Sequence, residues 1–430
     1  MGFMTIDGQR VEFTNEPNVL TVIRNAEIDI PTLCYHSELS IYGACRLCTV
    51  ENDRGKTFAS CAEPPRDGMV IYTNTPRLMR YRRTILELLL AAHDRDCTTC
   101  VKSGECHLLE LAHRMGVDRI RFKNREAKYP IDESSPAIVR NPNKCILCGD
   151  CVRMCDNVQS VNAIDFAYRG TSTLVTPAFN KTIAQTNCVN CGQCAQVCPT
   201  GAIVAKSDAD KVWNAIYDPD KVVVVQVAPA VRVALGERFG FPTGENVARK
   251  MVTAMKMMGF DYVYDTCFAA DMTIFEEATE FIDRLSNNGT LPMFTSCCPA
   301  WVKFAETFYP ELLPNVSTTR SPQAIFGAVA RKTLPAKLGV KPENLVVVSV
   351  MPCTAKKYEA QLPKFSNEGR PDVDYVLTTV ELASMIESMG IELKELEPEA
   401  FDMPLGFSTG GGVIFGTTGG VMEAALRFAV

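Results

Sequence analysis

Two copies of one cysteine pattern constrain this chain more than any other feature of its sequence. The stretches KCILCGDCVRMC and NCVNCGQCAQVCP both have the spacing C-x₂-C-x₂-C-x₃-C, and the second is followed at once by Pro199. This spacing is typical of a domain with two [4Fe–4S] clusters, in which the fourth cysteine of each copy binds the cluster of the other copy. The predicted ligands are Cys145, Cys148, Cys151 and Cys198 for one cluster, and Cys188, Cys191, Cys194 and Cys155 for the other. The internal duplication argues against zinc.

A second group of cysteines lies near the N-terminus and comprises Cys34, Cys45, Cys48 and Cys61. Upstream of them, MTIDGQRVEF alternates apolar and polar residues around an Asp-Gly turn, which predicts a β-hairpin. Four cysteines in a short β-rich domain, two of them spaced C-x₂-C, favour a [2Fe–2S] centre. A zinc ribbon is the alternative.

A third group combines one histidine with three cysteines in HDRDCTTCVKSGEC. Its members are His93, Cys97, Cys100 and Cys106. They form a complete set of four ligands, either for a Cys₃His zinc site or for a [4Fe–4S] cluster with a histidine ligand. The spacing does not separate these two possibilities, and it is the neighbouring cluster motifs that favour iron.

Composition places the chain among globular proteins with several domains. Its 430 residues indicate roughly two to four domains, and a net charge of −6 without a long basic run argues against a nucleic-acid partner. The N-terminus lacks the layout of a signal peptide, and no apolar run approaches membrane-spanning length. We therefore expect a cytoplasmic protein without a membrane partner, in which 19 cysteines indicate metal binding rather than disulfides.

From about residue 211 the sequence changes to an α/β pattern. The predicted strands are KVVVVQVAP, YVYDTC, PMFTSCC, NLVVVSVMPC and DYVLT. The predicted helices are TGENVARKMVTAMKMMG, which ends at Gly259, ADMTIFEEATEFIDRL, and TTVELASMIESMG, with Thr378 and Glu381 as a capping box.

Three strands run into cysteine at their carboxyl ends, at Cys267, at Cys297 with Cys298, and at Cys353. Because ligands of open α/β sheets gather at that edge, we expect these cysteines to converge there on one site. The clusters predicted upstream would form an electron-transfer chain that ends at this site.

The motifs TSCCPAW and MPCTAKKYEA resemble the first two signature motifs of [FeFe]-hydrogenases. The cluster domains ahead of them resemble those of the long clostridial-type enzymes with four accessory clusters, and the resemblance extends over the whole chain. It implies an H-cluster, which is a [4Fe–4S] cubane joined to a di-iron unit with CO and CN⁻ ligands. Cys298 and Cys353 would then be anchors, whereas Cys297 would carry protons. A free thiol has a pKa of about 8.5, close enough to neutral for that task.

The resemblance also implies further roles around the H-cluster. A proton path would run from Cys297 through Glu277, Ser317 and Glu280 to the surface near Arg284, and the three residues on the helix share one face because they are spaced i, i+3, i+7. A solvated acidic face is the alternative for them. Lys356 would donate a hydrogen bond to a cyanide ligand, while Lys357 beside it is expected to be a surface lysine. Further residues match the lining of the di-iron pocket, and they are Pro229, Gln323 and Met351, with Ala230 where some relatives have serine.

Two further residues of this region, one cysteine and one tryptophan, are expected to pack in the core rather than to bind a metal. Cys267 is expected to be a small buried residue and Trp301 a packing residue near the cluster.

The third family motif, which brings two more cysteine ligands, should follow GGVMEAALR, but the sequence given stops at Val430. Only two of the four expected H-cluster ligands are therefore present. A fragment of a longer protein is the favoured explanation, ahead of a second chain that supplies the rest or a protein without an H-cluster.

The predicted fold is a multidomain α+β and α/β chain. Its predicted parts are a β-grasp [2Fe–2S] domain over 1–78, a His-Cys₃ [4Fe–4S] domain over 79–125, a two-[4Fe–4S] ferredoxin-like domain over 126–209 and an incomplete H-cluster domain over 210–430. The cofactors would be one [2Fe–2S], three [4Fe–4S] and the H-cluster.

The predicted function is reversible oxidation of H₂, with ferredoxin or NAD(P)-linked flavin and Fe–S subunits as electron partners. One alternative is an electron-transfer subunit without hydrogen chemistry. A second is a hydrogenase-like iron–sulfur assembly protein, although such proteins lack the N-terminal cluster domains.

Overall fold

The computed structural model describes residues 1–123, 128–367 and 369–429. The predicted domain boundary between residues 125 and 126 lies outside the described residues. Within those residues, none of the helices is both long enough and apolar enough to span a bilayer.

The contacts of the chain divide it into two compact units. The first unit contains Met1–Cys188 and Gly192–Ala205, and the second contains Val189–Cys191 and Lys206–Val430. Three predicted domains thus lie in the first unit, apart from the few residues 189–191 and 206–209.

The first unit is built from short elements. Its strands are β1 Gly2–Ile6, β2 Gln9–Phe13, β3 Thr49–Asn52, β4 Thr57–Ala59, β5 Met69–Tyr72, β6 Ile138–Arg140, β7 Asp165–Ala167, β8 Leu174–Thr176 and β9 Ile203–Ala205. Its helices are α1 Val19–Asn25, α2 Pro76–Ala92, α3 His107–Arg114, α4 Asp150–Arg153 and α5 Gln193–Gln196.

A five-stranded mixed sheet opens the first unit, in the order β2-β1-β5-β3-β4. The predicted hairpin is confirmed, since β1 and β2 pair antiparallel around Asp7 and Gly8, which both have positive φ. Positive φ at both central residues is the requirement of a type I′ turn and explains the Asp-Gly pair. Helix α1 contributes Val19, Leu20 and Val22 to the core of this sheet.

The duplicated cysteine motifs have the same local backbone in both copies. Leu147 and Asn190, each just before the second cysteine, have φ of 56° and 61°. Gly149 and Gly192, each just after it, are left-handed N-caps of the short helices α4 and α5. The repeat in sequence is therefore a repeat in conformation, with glycine at one of the two positive-φ positions of each copy.

The second unit alternates strands and helices. Its strands are β10 Val222–Val227, β11 Tyr262–Asp265, β12 Leu345–Met351, β13 Ser366–Asn367, β14 Arg370–Pro371 and β15 Tyr375–Thr378. Its helices are α6 Ala209–Ile216, α7 Val231–Arg238, α8 Ala248–Met258, α9 Cys267–Ser286, α10 Pro299–Phe308, α11 Pro322–Leu338, α12 Ala355–Ala360, α13 Thr379–Ser388, α14 Gly410–Phe415 and α15 Gly420–Ala429.

A parallel four-stranded sheet, in the order β11-β10-β12-β15, forms the centre of the second unit. The apolar runs that predicted β10 and β12 are explained by burial, because every residue of β12 is buried and only Val222 of β10 is not fully so. The chain goes from β10 to one side for β11 and later to the other side for β12. The carboxyl ends of β10 and β12 therefore flank a switch point, where α/β sheets bind ligands.

Local signals in the second unit are mostly confirmed. Helix α8 ends at Gly259 in the left-handed conformation, and α13 begins with the Thr378–Glu381 capping box. The strand predicted for PMFTSCC is wrong, because only Phe294 forms an isolated bridge, to Val316. This segment lies between two prolines that cannot donate to a ladder, and Pro299 begins α10 instead.

Candidate functional site

The predicted pocket residues gather at the switch point of the parallel sheet. Pro229 and Ala230 follow β10 after Ala228, and Met351 ends β12 two residues before Cys353. The two strand ends are joined by a hydrogen bond from the Ala228 N–H to the Val350 carbonyl at 3.0 Å. Sequence positions more than a hundred residues apart thus come together because the two strands are neighbours.

The adjacent cysteines lie in the loop that enters α10. Cys298 is the N-cap of this helix and is exposed, whereas Cys297 is half-buried. Helix α10 packs against α12, the helix that follows Cys353. Across this contact the Lys356 Nζ donates to the Cys297 carbonyl oxygen at 2.9 Å. The two signature motifs are therefore in direct contact.

The side chain of Cys297 holds its proton more tightly than an ordinary thiol. Burial raises the pKa of Cys297 to about 11, and the nearby Lys356 ammonium opposes this rise only in part. The expectation of an ordinary pKa near 8.5 is corrected here, because it leaves out desolvation. At neutral pH this thiol is protonated.

The outer part of the predicted proton path is joined by hydrogen bonds between side chains, and the inner carboxyl is buried. Glu277 is 1% exposed, and its Oε1 accepts from the Ser296 N–H at 3.4 Å. The Ser317 hydroxyl donates to Glu280 Oε2 at 2.7 Å, and Arg284 Nη2 donates to Glu280 Oε1 at 2.6 Å. The helix face that bears these residues is not a solvated acidic face, since Glu277 is buried.

The two carboxyl groups of this path differ in acidity. Burial raises the pKa of Glu277 to about 7, against which the hydrogen bond from the Ser296 N–H acts. Burial also acts on Glu280, but hydrogen bonds from Ser317 and Arg284 outweigh it and lower the pKa of that group. Near neutral pH the inner carboxyl is poised between its two protonation states while the outer one is ionised.

A buried carboxylate that the sequence analysis did not single out lies next to this pocket. Glu359 Oε2 accepts from the Lys356 Nζ at 2.9 Å and from the Gln323 Nε2 at 3.0 Å. Both donors are predicted pocket residues. The signal was available, since Lys356 and Glu359 are spaced i, i+3 in a stretch that becomes helix α12.

Lys357 is not the surface lysine that was expected. It is 1% exposed, and its Nζ lies 3.4 Å from Asp208 Oδ2 and 3.1 Å from Glu381 while also donating to the Val376 carbonyl. The expectation fails because α12 has opposite faces, and the face of Lys357 packs against β15. A lysine can be buried there because two carboxylates and a carbonyl receive its ammonium group.

Cys267 and Trp301 are packing residues, and the Cys267 sulfur also contacts an arginine. Cys267 is fully buried at the start of α9, and burial raises its pKa to about 12. Its Sγ also lies 3.7 Å from Arg232 Nη2, which binds Asp265 at 2.6 Å. Trp301 packs edge-on against Phe294, with the ring centroids 5.9 Å apart.

Several buried polar atoms around these sites have no hydrogen-bond partner. Among the described residues they include Glu277 Oε2, Gln323 Oε1 and His93 Nδ1. Unsatisfied buried groups are costly in a folded protein, so each of the three indicates a missing ligand or solvent molecule. Together with the thiols of Cys298 and Cys353, which are suitable iron ligands, they fit the cofactors that the motifs predict.

The four N-terminal cysteines are buried in the first unit. The Cys45 N–H donates to the Cys34 Sγ at 3.3 Å, and the Leu33 N–H donates to the Cys45 Sγ at 3.4 Å. Backbone donors directed at cysteine sulfur are an arrangement that iron–sulfur sites use to tune their potential.

His93 caps the carboxyl end of α2 and is 8% exposed. Burial lowers its pKa, which favours the neutral imidazole that can bind a metal. Of its three predicted companions, Cys97 and Cys100 flank one short turn and Cys106 caps α3.

An apolar cavity in the first unit is lined by the cysteines that the crossover pattern assigned to one cluster. They are Cys145, Cys148, Cys151 and Cys198. Three members of the other set, Cys155, Cys188 and Cys194, pack around the same apolar core. Cys198, the fourth cysteine of the second copy, thus meets the first three cysteines of the first copy.

Four family models match successive parts of the chain. In chain order they describe a 2Fe-2S iron-sulfur cluster binding domain over residues 3–76, the NADH-ubiquinone oxidoreductase-G iron-sulfur binding region over 82–121, a 4Fe-4S dicluster domain over 144–202, and the iron only hydrogenase large subunit, C-terminal domain, over 221–430.

Three curated relatives span large parts of the chain. The NADP-reducing hydrogenase subunit HndD of Solidesulfovibrio fructosivorans is 48% identical over 99% of this chain and 75% of its own length. Iron hydrogenase 1 of Clostridium pasteurianum is 40% identical over 100% of this chain and 75% of its own length. The periplasmic [Fe] hydrogenase large subunit of Nitratidesulfovibrio vulgaris is 44% identical over 57% of this chain and 67% of its own length.

These relatives and family models agree with the cluster motifs and the two hydrogenase-like motifs of the sequence. The chain has iron–sulfur domains followed by a hydrogenase catalytic domain of mixed α/β structure. It belongs to the iron-only, or [FeFe]-, hydrogenase family and is an oxidoreductase of that family.

Proposed function

We propose that this chain catalyses the reaction 2H⁺ + 2e⁻ ⇌ H₂ at an H-cluster and relays the electrons through accessory iron–sulfur clusters. One observation carries the proposal. The Cys297–Cys298 loop and the Cys353–Lys356 segment meet at the carboxyl edge of the sheet, and the same unit holds the buried Glu277 and the hydrogen-bonded pair Ser317–Glu280. A protein that only transfers electrons has no use for a proton path.

The residues proposed to hold the H-cluster in this chain are the thiols of Cys298 and Cys353. When bound, the group supplies the iron centre at which H₂ is formed or split. Pro229, Ala230, Gln323 and Met351 line the pocket, and Lys356 keeps a donor available beside it. Ala230 cannot donate a hydrogen bond where a serine could, so we expect a cyanide environment with one donor fewer than in relatives with serine.

The proposed proton route uses residues of the second unit alone. We place Cys297 at the inner end of the route, where its protonated thiol can give a proton and recover one from Glu277. The Ser317 hydroxyl bridges toward Glu280, whose salt bridge with Arg284 lies at the outer end. A carboxyl group with a pKa of about 7 suits the middle of such a route, because it gains and loses a proton at little cost in free energy near neutral pH.

The proposed electron route ends at the same pocket. We assign one [2Fe–2S] cluster to the N-terminal cysteines, one [4Fe–4S] to His93 with Cys97, Cys100 and Cys106, and two [4Fe–4S] to the duplicated motifs with their crossed fourth cysteines. Within the second unit, the Thr354 hydroxyl donates to the Asn190 carbonyl at 2.9 Å. Thr354 follows Cys353 and Asn190 precedes Cys191, so this bond gives a short covalent and hydrogen-bonded path between two proposed ligands.

The proposed domain division is 1–78, 79–125, 126–209 and 210–430. In its support, each of the four matched family regions falls inside one of these spans. The mixed sheet of the first domain agrees with a β-grasp architecture.

The proposed electron partners are ferredoxin or an NAD(P)-linked flavin and iron–sulfur subunit. The NADH-ubiquinone oxidoreductase-G region and the relative named as NADP-reducing support the second choice. We propose the cytoplasm as the location, although one relative is named as periplasmic.

The first test is an infrared spectrum of the anaerobically purified protein after treatment with the hydrogenase maturases. Bands in the metal carbonyl and cyanide window, together with H₂ evolution from a reduced dye, are the expected result. Accessory clusters visible by EPR without such bands would instead support a protein that only transfers electrons.

A matched pair of variants makes this test specific to the site. Cys353→Ala removes a proposed anchor, so the bands should be lost. Cys267→Ala removes a buried thiol elsewhere in the same unit, so the bands should remain. Equal bands in both variants would overturn the anchor assignment.

A further inference from the structure

The strongest unassigned feature of the pocket is the convergence of three donors on one buried oxygen. Glu359 is 3% exposed, and its Oε2 accepts from the Lys356 Nζ, the Gln323 Nε2 and the Ser321 hydroxyl at 2.9, 3.0 and 2.8 Å. One donor is a cation, one an amide and one a hydroxyl. A single neutral acceptor would not compensate the charge of Lys356 in a site whose side chains are almost wholly buried.

The bonds of Lys356 leave a defined number of its protons free. Its ammonium group has three N–H donors. One is directed at Glu359 Oε2 and a second at the Cys297 carbonyl, both at 2.9 Å. One donor therefore remains for the pocket, and the position of Glu359 determines in which direction it can point.

The bonds of Gln323 determine which end of its amide is free. The Nε2 group donates to Glu359 Oε2 at 3.0 Å and to the Lys356 carbonyl at 3.1 Å, which uses both of its N–H bonds. The Oε1 atom is buried without a partner. A carboxylate and a carbonyl can only accept, so Glu359 and the Lys356 carbonyl together exclude the flipped amide and leave Gln323 with a free acceptor.

The same oxygen also connects the pocket to the start of α11. Ser321 is the N-cap of this helix, and its Oγ accepts from the Ala324 N–H at 3.3 Å while its hydroxyl donates to Glu359. The Gln323 carbonyl accepts from the buried Gln226 of β10 at 3.2 Å. Helix α11, helix α12 and the central strand are thus held in one arrangement around Glu359.

We propose that Glu359 is a positioning residue of the H-cluster pocket, which orients Lys356 as a donor and Gln323 as an acceptor toward the bound group. This inference rests on the proposed function for the identity of that group. The carboxylate itself acts only through its two neighbours.

The test compares Glu359→Gln with the parent in the matured full-length protein. The substitution keeps the shape of the side chain but removes its charge and allows the amide of Gln323 to flip. We expect the cyanide infrared bands to shift, the iron content to stay the same, and turnover to fall about tenfold, as for the loss of one charged hydrogen bond. Cyanide bands identical to those of the parent would overturn the proposal.

Two control variants separate positioning from general loosening. Glu306→Gln removes a carboxylate that lines the same surface cavity of about 520 Å³ as Glu359, so the bands should not move. Ser321→Ala removes the third donor and the helix cap but keeps the ion pair, so the melting temperature should fall while the bands stay unchanged. A band shift in Ser321→Ala as large as that in Glu359→Gln would contradict a specific role of the carboxylate.

A crystal structure of the apo form of Glu359→Gln provides a readout without the cofactor. We expect Lys356 Nζ to leave the Cys297 carbonyl, because the carboxylate that holds it is gone, and a retained bond of 2.9 Å would overturn the proposal. If the matured parent shows no carbonyl or cyanide bands, the proposed function fails, and this apo comparison decides the positioning role by itself.

Discussion

The accessory cluster sites of the first unit and the pocket of the second unit are organised in opposite ways. Each of the two duplicated motifs brings three of its cysteines within seven consecutive residues, and a repeated local backbone with left-handed glycines places them. The pocket draws its residues from Pro229 to Lys356, and only the neighbouring carboxyl ends of two strands bring them together. A redox relay can therefore be specified by short sequence motifs, whereas the proposed proton path depends on which side chains packing buries.

The largest expected effect comes from Cys297→Ser in the second unit. The hydroxyl is a much weaker acid than the thiol, so we expect turnover to fall by roughly 10²–10⁴, the usual contribution of a proton-transferring group, with the metal content intact. The measurement is H₂ evolution together with iron analysis, with Cys267→Ser as the control that should retain activity. Loss of iron in Cys297→Ser would show that the anchor and the proton carrier are exchanged in our assignment.

Removal of the buried charge of Lys357 should destabilise the second unit. In Lys357→Met, Asp208 and Glu381 lose the ammonium between them, and breaking a buried pair in this way costs about 3–5 kcal/mol of unfolding free energy. Denaturant unfolding followed by tryptophan fluorescence measures this, because both tryptophans, Trp213 and Trp301, lie in the second unit. The exposed Lys332→Met should stay within about 0.5 kcal/mol of the parent. Equal stability of the two variants would mean that the buried pair is not needed.

The pH dependence of stability should contain a contribution from Glu277. Its pKa is about 7 in the folded protein against 4.5 as the ordinary value, so the folded state binds the proton more tightly than the unfolded state. Stability from this group is therefore highest below pH 4.5 and declines as the pH rises to about 7, by about 3 kcal/mol in total. Glu277→Gln should remove this decline in unfolding curves measured from pH 5 to pH 8, whereas the exposed Glu276→Gln on the same helix should keep it. A decline that persists in Glu277→Gln would assign it to another group.

The smallest expected effect belongs to the first unit. His93→Cys should retain a [4Fe–4S] cluster and lower its reduction potential, because a thiolate brings a negative charge where the imidazole is neutral. EPR-monitored redox titration measures the potential, and His113→Cys, at an exposed position of α3, should leave it unchanged. Zinc in place of iron at this site would mean that the proposed electron relay has one redox centre fewer. It would also weaken the contrast between a first unit that carries electrons and a second unit that carries protons.

Local signals predicted much of the fold. The hairpin at Asp7 and Gly8, the end of α8 at Gly259 and the capping box of α13 depend on residues within a few positions of one another, so they were predictable. The strand predicted for PMFTSCC was not found, because an apolar run next to two prolines does not reveal whether a neighbouring strand can pair with it.

For the candidate site, the sequence predicted which residues take part but not all of their contacts. The identity of Cys297, Cys298 and Cys353 came from motifs, and their roles remain proposals. Neither the contact between Lys356 and Glu359 nor the burial of Lys357 was predicted, although each concerns residues inside a recognised motif. Motif spacing shows which residues share a helix, but not what packs against each face of it.

From the amino-acid sequence alone the family could be identified, and the cluster ligands and domain bounds could be predicted, because the spacing of cysteines along a chain restricts which metal groups it can hold. The acidities of the pocket groups and the partners of its charged side chains could be found only from the folded chain. The pKa of Cys297 near 11 and of Glu277 near 7 results from desolvation by elements distant in sequence. Glu359 finds Gln323 and Ser321 more than thirty residues away, because α11 packs beside α12. Electrostatic free energies depend on distance and burial, and those are properties of the folded chain.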